Sequence, residues 1–486
     1  MILVIDVGTT SIRVATMNSD GEIVDFHQEQ QPPATPFPGL VEFDPLALSR
    51  AVIDLATGAI RAAGDIAGVA ITTQRASTVV WNRSTGEPVG PGLGWQDLRT
   101  VSECMTAKSE HGVTVAPNQS ATKAQWLLNS VENARGLDLC IGTIDSWIVW
   151  ALSGGQSHIT DHTNAAVTGW YSPQTASWDE RLCDVFNTPM SMLPTIVDSV
   201  GECAIAHALP GSPPIVAVIG DQQASLVGQG CVSPGLAKIT FGTGGMLDTV
   251  ISNGSPLAQS TRRGDGGCFG IVAWAEAGQR TFGAESIMLA AGSNIDWLRD
   301  DLGLIATSTE SHNIASTCAS TEGVMFVPAP LGLGTPHWDY GARSTFVGLT
   351  RGTTRAHMVR AVLEGVAHRG ADLVEAVIAD ANVDVDVIRI DGGMSKNPTF
   401  VQALADFTGL SIEVSPHTEG TTIGAGRLAL VGIGEVACVV DTASMWDPSQ
   451  VAIPTDSFDR STARATWKKA TTRSLGWIPE LSSLDF

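Results

Sequence analysis

MILVIDVGTTSIRV, residues 1–14, runs an apolar segment into a carboxylate, Asp6, then a glycine, Gly8. Three hydroxyls follow, Thr9, Thr10 and Ser11, and then a guanidinium, Arg13. The run Ile2–Val7 has the length and β-branched content of a buried strand, and Gly8 marks where it turns. A carboxylate at the end of such a strand has two readings. It belongs either to a solvated turn between two strands or to a corner that faces phosphate and a metal ion. Only the rest of the chain can choose between them.

Working outward, SIRVATMN (11–18) and EIVDFHQ (22–28) read as two more strands, joined by the hairpin signal Asn-Ser-Asp-Gly at 18–21. PLALSRAVIDLATGAIRAAG (45–64) has helical periodicity, GVAITTQ (68–74) returns as a buried strand, and STVVWNRSTGEPV (77–89) reads as a hairpin turning at Ser84–Gly86. Helices packed on a mixed sheet follow from this alternation.

PGSPP (210–214) breaks the pattern, after which the same grammar restarts. PIVAVIGDQQ (214–223) is a strand ending in Asp221, LAKITFGTGGMLDTV (236–250) is a strand interrupted by glycines, and GIVAWAEAG (270–278) is a third. Helices are expected over 284–302 and 353–381, then a strand VIRIDGG (387–393), then helices in NPTFVQALADF (397–407) and TTIGAGRLALVG (421–432). A chain of 486 residues exceeds what one core usually serves. Two domains are therefore expected, 1–212 and 213–486, each opening with strands and a strand-terminal Asp, as in a structural duplication. No linker composition separates them, so a cleft between closely packed halves is the expected ligand site.

Bulk properties exclude several functions. Twenty-eight basic against 50 acidic residues give a net charge of −22, which disfavours a nucleic-acid surface. An anionic small ligand could still be held by backbone N–H groups, a few arginines and a metal ion. The eight cysteines are scattered without CxxC or zinc-ligand spacing and read as reduced residues of a cytoplasmic protein. No leader segment is expected, and no apolar run approaches the ~20 residues that span a bilayer, so no membrane role is expected either.

There is no GxxxxGK[ST] motif. GAGRLA (424–429) fits a dinucleotide pattern in form, but it follows a Thr-rich turn rather than a strand, so close helix packing is the expected reason for its glycines. A nicotinamide-dependent oxidoreductase would rest on that motif alone. HITDH (158–162) places two histidines four apart, yet its β-branched and turn residues point to a strand or loop without a ligand role. Three glycine-centred patches remain, VGTTSIR (7–13), FGTGGM (241–246) and DGGMSKN (391–397). Each follows an apolar strand and offers consecutive N–H groups that can cradle phosphate without lysine. Asp221, followed by Gln222 and Gln223, reads either as a general base for a substrate hydroxyl or as a helix N-cap.

Together these segments resemble the FGGY carbohydrate kinases, and within that family the glycerol kinase branch most. Ordered matches run nearly end to end, through IDVGTTSIR, GVAITTQRASTVVW, GWQDLRT, GTIDSWIVWALSGG, TDHTNAAVTGWYS, GDQQASLVGQG, FGTGG, AAGSNIDWLRD, VMFVPAPLGLGTPHWD, FVGLTRGTTRAHMVRAVLEG and DGGMSKN. The resemblance implies an α/β fold of the two-domain actin-like, ribonuclease-H-like kind, with ATP, Mg2+ and a small sugar or polyol meeting in the central cleft. The first domain would lie on the substrate side and the second on the nucleotide side. It assigns Asp221 as the base that deprotonates the attacking hydroxyl, with Gln222 beside it. Thr9, Thr10, Ser11 and Arg13 match a phosphate-facing hairpin, and Asp6 a carboxylate near the magnesium, acting through water. Gly242, Thr243 and Gly244 match a second phosphate loop. Gly292 and Asp296 match positions near the nucleotide, although glycerol kinases usually carry Gln where Asp296 stands. Gly392, Gly393 and Asn397 match an adenosine-binding turn. Members are often dimeric or tetrameric, so a homodimer or homotetramer is compatible with the resemblance. A non-catalytic sugar-binding homologue is the other class, opposed by the intact Asp6, Asp221 and Gly-Thr-Gly.

The acceptor side departs from the branch. Where glycerol kinases read Gln-Arg-Glu, this chain reads Gln74-Arg75-Ala76. Their pocket tyrosine aligns with Asn118, a phenylalanine aligns with Met246, and Trp95 is retained. Loss of a carboxylate and an aromatic from a hydroxyl-reading pocket implies an acceptor larger than glycerol, a polyol or ketose. Xylulose kinases of the family also lack the Gln-Arg-Glu triplet, but their Gln-Met-His is absent here. The segment HALPGSPPIVAV (207–218) is shorter than the loop of allosterically inhibited glycerol kinases, so sugar-bisphosphate control is not expected.

Overall fold

The computed structural model describes residues 1–484, and the last two residues of the expected second domain, Asp485 and Phe486, lie outside them. Two mixed sheets organise the chain. The first contains β1 (Ile2–Val7), β2 (Ser11–Met17), β3 (Ile23–Gln30), β4 (Gly68–Thr73), β5 (Val200–Ile205) and β6 (Pro214–Gly220), in the order β5-β6-β4-β1-β2-β3. β1 pairs antiparallel with β2 and parallel with β4, which in turn is parallel to β6. Every residue of β1 and β4 is buried, as expected for central strands covered on both faces.

The second sheet contains β7 (Gly235–Phe241), β8 (Gly245–Ile251), β9 (Phe269–Glu276), β10 (Gln279–Met288), β11 (Val385–Asp391), β12 (Ser411–Val414) and β13 (Gln450–Ala452), in the order β9-β10-β8-β7-β11-β12-β13. Its path β10-β8-β7-β11-β12 repeats the path β3-β2-β1-β4-β6, with two antiparallel neighbours on one side of the first strand and two parallel ones on the other. The duplication inferred from strand-terminal carboxylates is thus a duplication of topology, and the fold is the expected α/β, two-domain actin-like one.

Six helices matter for the site: α1 (Pro45–Ala63), α2 (Asp221–Gly228), α3 (Ser293–Asp300), α4 (Arg355–Ala381), α5 (Pro398–Thr408) and α6 (Gly420–Gly432). α1 starts where Asp44 accepts from the N–H groups of Leu46 and Ala47, and Pro45 supplies a pre-set φ. α6 packs on α2 and on β1, β4 and β6 of the first sheet, although it lies late in the chain. The contact is backbone on backbone. A Cβ added at Gly424 would sit 1.8 Å from the Ala224 carbonyl oxygen, and one added at Gly228 would sit 1.9 Å from that of Gly420. The glycines of GAGRLA serve helix packing, as expected.

Three expectations change. The strand after PGSPP, β6, does not open the second sheet. It pairs with β4 and completes the first sheet, so the break at 210–214 is the β5–β6 turn. The helix expected over 284–302 divides into the end of β10 and the short α3, because FGAESIM alternates across β8 and only SNIDWLRD is helical. The second arm of the 77–89 hairpin is reduced to one bridge between Trp81 and Pro88, and the strand Thr78–Asn82 pairs instead with Leu139–Thr143. HITDH forms a strand, Ile159–Asp161, running into one helical turn. No helix among the described residues is long and apolar enough to cross a membrane.

Candidate functional site

Asp6 ends β1 almost fully buried at 1% exposure. Its Oδ2 accepts from Arg13 Nη1 at 3.2 Å across the β1–β2 hairpin and from Thr422 Oγ1 at 3.0 Å from α6. Burial pushes its pKa up to about 6, opposed by Arg13 and Thr422 and reinforced by the charge of Asp221. Arg13 Nε also meets Glu419, the residue before α6, at 3.3 Å. Gly8, Thr9, Thr10 and Ser11 form the hairpin turn, closed by Gly8 N–H donating to Ser11 O at 2.9 Å. Thr10 is exposed at its tip, while Ser11 is buried.

The residues expected on the acceptor side, Gln74 and Trp95, bond to this turn. Gln74 Nε2 donates to Gly8 O at 3.1 Å, and Trp95 Nε1 donates to Thr9 Oγ1 at 3.1 Å. Ser77 Oγ donates to Gln74 Oε1 and accepts from Trp95 N–H, which ties the 74–77 and 94–96 loops together. Ala76 is buried with φ of 62°, a conformation that L side chains adopt at a cost. Its carbonyl accepts from Ser120 Oγ at 3.0 Å, which brings the exposed Asn118 turn to the same corner. The buried Lys123 pins that turn by donating to Pro117 O at 2.7 Å and Gln119 O at 3.2 Å.

Arg75 leads into the cleft. Its Nη2 meets Glu285 of β10 at 2.7 Å and Met246 Sδ at 3.6 Å, and its Nε lies 3.7 Å from Asp221 Oδ1. Asp221 is the first residue of α2, after Gly220 in the cap position, and its Oδ1 accepts from the Gln222 N–H at 2.8 Å. Burial raises the Asp221 pKa, with Arg75 and then Lys238 opposing. Its side chain stays partly open at 26% exposure, so a proton donor can reach it. Gln222 Oε1 accepts from Lys238 Nζ at 2.8 Å.

On the opposite wall, three glycine turns touch one another. Gly292 N–H donates to Gly242 O and Ala291 N–H to Thr243 O, each at 2.8 Å. A Cβ at Gly244 would lie 2.8 Å from Met288 O, one at Gly292 2.6 Å from Gly242 O, and one at Gly392 2.3 Å from Phe241 O. Gly393 faces open space. Asn397 sits at the same wall, but both ends of its amide are engaged. Oδ1 caps α5 by accepting from Phe400 N–H, and Nδ2 donates to Ser311 Oγ. Asp296 lies on the exposed face of α3, paired with Arg299 at 3.0 Å.

Several residues of the site were not singled out from sequence. Thr422 and Glu419 grip Asp6 and Arg13 from a segment about 400 residues away in the chain. Lys238, Asp248 and Glu285 lie behind Asp221, with Lys238 and Asp248 paired at 2.8 Å and fully buried. The available signal was a charge inside an apolar strand, LAKITF and MLDTVI, because such a group must find a partner. Glu285 was hidden by the helical reading of 284–302. Asp391, ending β11, has its pKa raised by burial, opposed by Lys238. Its Oδ1 is buried without a hydrogen-bond partner. His158 and His162 do not converge on a metal site. They bond to Ile141 O and the Tyr171 hydroxyl, and among the described residues no three His, Cys, Asp or Glu side chains form a metal cage.

Residues 1–228 match the N-terminal domain, and residues 237–433 the C-terminal domain, of the FGGY family of carbohydrate kinases. The chain is 38% identical to a glycerol kinase of Deinococcus radiodurans, covering 98% of both. It is 37% identical to one of Aromatoleum aromaticum, covering 98% of this chain and 99% of the relative. It superposes with a TM-score of 0.91 on a crystal structure of Plasmodium falciparum glycerol kinase with ADP, at 29% identity and 98% coverage of each chain. Its fold also matches a ligand-bound xylulose kinase from Lactobacillus acidophilus, with a TM-score of 0.85 over 98% of this chain and 97% of that one, at 22% identity. Kinases of this family use ATP. The chain therefore belongs to the FGGY carbohydrate kinases and is a phosphotransferase that uses ATP to phosphorylate an alcohol group of a sugar or polyol.

Proposed function

We propose that this kinase phosphorylates a polyol or ketose larger than glycerol, with Asp221 as the base. The observation that carries the substrate reading is Ala76. A buried methyl stands beside Arg75 where the related branch has a carboxylate, and Asn118 at the same corner is exposed. Glycerol would leave the polar groups of this corner underused, and a longer chain of hydroxyls would meet them. Arg75 Nη1, buried and without a partner, is the donor such a hydroxyl or carbonyl oxygen would satisfy.

Phosphoryl transfer asks little covalent work of a protein and depends on in-line positioning and charge stabilisation. The Gly8–Ser11 turn, with Arg13 behind it, would face the transferred phosphate. The Gly242–Gly244 and Gly292 turns would hold the remaining phosphates, and Gly392–Gly393 would take the adenosine. Asn397 would contribute by shaping that turn, since its amide is occupied as a cap, and Asp296 only at the cleft's exposed rim. Asp221 would take the acceptor's proton as its oxygen attacks, with Gln222 orienting the hydroxyl.

Magnesium fits as an ion that arrives with the nucleotide. Mg2+ is usually held by one or two carboxylates together with phosphates and water, not by a protein cage. Asp6 is buried, crowded by the charge of Asp221 and raised in pKa, so a nearby dication would relieve it. The ion would neutralise phosphate charge beside Asp6.

The test is an ADP-release assay with glycerol, four- to six-carbon polyols and ketoses, beside thermal shifts with the same compounds. A larger acceptor should exceed glycerol in kcat/KM by about 100-fold or more, the scale on which unpaired polar groups discriminate. Glycerol turnover within about threefold of the best acceptor would sink the larger-substrate reading.

A further inference from the structure

Five charged residues form one row across the second sheet. Lys238 of β7 is the cross-strand partner of Asp248 on β8, and Asp248 is the partner of Glu285 on β10. On the other side Lys238 is in register with Arg389 of β11, and Arg389 with Glu413 of β12. Residues in register share a face of the sheet. This face looks toward α2 and the first domain, because Lys238 reaches Gln222, Arg389 Nη1 reaches Gln229 O at 2.7 Å, and Glu285 reaches Arg75.

The charges of the row do not balance within its own domain. Lys238 pairs with Asp248 at 2.8 Å and Arg389 with Glu413 at 2.9 Å, which leaves Glu285. Its partner is Arg75, from the loop after β4 in the first sheet, and that cation makes the row neutral. A buried carboxylate without a partner would be costly, so Glu285 holds Arg75 firmly.

Arg75 stands between two carboxylates. Its stem packs against Gly220, where an added Cβ would lie 2.9 Å from Arg75 Cδ, and this sets the guanidinium beside Asp221. The approach to Glu285 is 2.7 Å, whereas the approach to Asp221 is 3.7 Å. A guanidinium free to choose would close on Asp221 as a short, charge-assisted pair and weaken it as a base.

We propose that Glu285 is a positioning residue that holds the Arg75 guanidinium off Asp221. Asp221 is thereby left free for the acceptor's proton, and Arg75 Nη1 is left free for an acceptor oxygen. This rests on Asp221 being the base, as proposed above. It also makes the acceptor corner depend on the second domain, since Glu285 belongs to that domain and Arg75 to the first.

The test uses the full chain and two variants that fail differently, E285Q, which keeps the volume, and E285D, which keeps the charge. E285Q should lower kcat/KM for the best acceptor by about 30-fold, the scale for breaking a buried charge pair, and leave the ATP KM within about twofold. E285D should recover most of that loss. Because Glu285 acts through Arg75, adding E285Q to Arg75→Met should change kcat/KM by less than about threefold. A full additional loss in the Arg75→Met background would overturn the proposal, as would an equal rise in the ATP KM. A crystal structure of E285Q gives a readout that needs no turnover. The Arg75–Asp221 separation should close to about 3 Å, the range of a charge-assisted pair. A guanidinium that stays in place refutes the role of Glu285 even if kinase activity is normal. If the wild-type chain turns over none of the acceptors, the substrate reading fails, and the guanidinium position still decides this one.

Discussion

Substituting Gly424 by alanine tests how the late helix α6 controls the opening strand. The new methyl would stand 1.8 Å from the carbonyl oxygen of Ala224 and 2.6 Å from Gly228 N. These neighbours are backbone atoms of α2 and cannot swing aside, so α6 must move by on the order of 1 Å to restore ordinary contact. Overpacking of this kind costs about 1–3 kcal/mol, and the absence of a flexible neighbour places Gly424→Ala near the upper end. For a domain of this size a loss of about 3 kcal/mol lowers Tm by roughly 6–12 °C. Moving α6 also draws Thr422 from Asp6 and leaves a buried carboxylate oxygen with one partner fewer. Turnover should then fall by about tenfold beyond any effect of instability, as expected for about 1.4 kcal/mol of lost positioning. Scanning calorimetry and steady-state kinetics with ATP read both effects. Gly58→Ala is the control, because it lies within α1 with no atom within 4 Å of the added methyl. It should stabilise the chain by up to about 1 kcal/mol through helix propensity. If Gly424→Ala melts within about 1 °C of the wild type, the close approach of α6 and α2 is wrong.

Asp221→Asn should reduce kcat by about 100- to 10,000-fold while nucleotide thermal shifts persist; turnover within a few-fold of wild type would remove the base from Asp221. Asp6, with a folded pKa of about 6 against 3.8 for the free group, binds its proton more readily folded than unfolded. The folded chain therefore holds the extra proton between roughly pH 4 and 6, and stability falls as pH rises through that window, by up to about 3 kcal/mol from this group. Urea midpoints at pH 4.5 and 7.5 should differ less in Asp6→Asn than in the wild type, and an equal difference would contradict the burial of Asp6 as the cause. Lys123→Met leaves the carbonyls of Pro117 and Gln119 unpaired, at a cost of about 2–4 kcal/mol, and should raise the acceptor KM while sparing that of ATP. Equal changes in both KM values would argue against a role confined to the Asn118 turn.

Much of the local structure of the candidate site could be read from short segments. Val7–Arg13, Phe241–Met246 and Asp391–Asn397 each announce a strand that ends in a turn, because burial and glycine punctuation are local properties of the chain. The helix-packing role of GAGRLA was legible for the same reason: no strand runs directly into it, and Thr421 and Thr422 before it already belong to α6. Segments whose period was ambiguous misled. FGAESIM reads equally as an apolar helix start or as a strand, and only pairing with β8 made it β10 and turned Glu285 toward Arg75. PGSPP looked like a domain boundary because proline and glycine punctuate turns and linkers alike, and only the hydrogen bonds of β6 to β4 placed it inside the first sheet.

By itself, then, the sequence determined the family, the duplicated strand-and-turn grammar, the glycine turns and the strand-terminal carboxylates Asp6 and Asp221. It also pointed to Ala76 and Asn118, on which the proposed larger acceptor rests. Tertiary structure alone decided who partners those groups. Thr422 reaches Asp6 from α6, Lys123 fixes the turn before its own helix, and Glu285 takes Arg75 from across the cleft. The reason is the range of the forces involved. Strand, turn and burial propensities act between near neighbours in the chain, whereas buried charges must be neutralised by whatever the fold brings within a few ångströms, however distant in sequence.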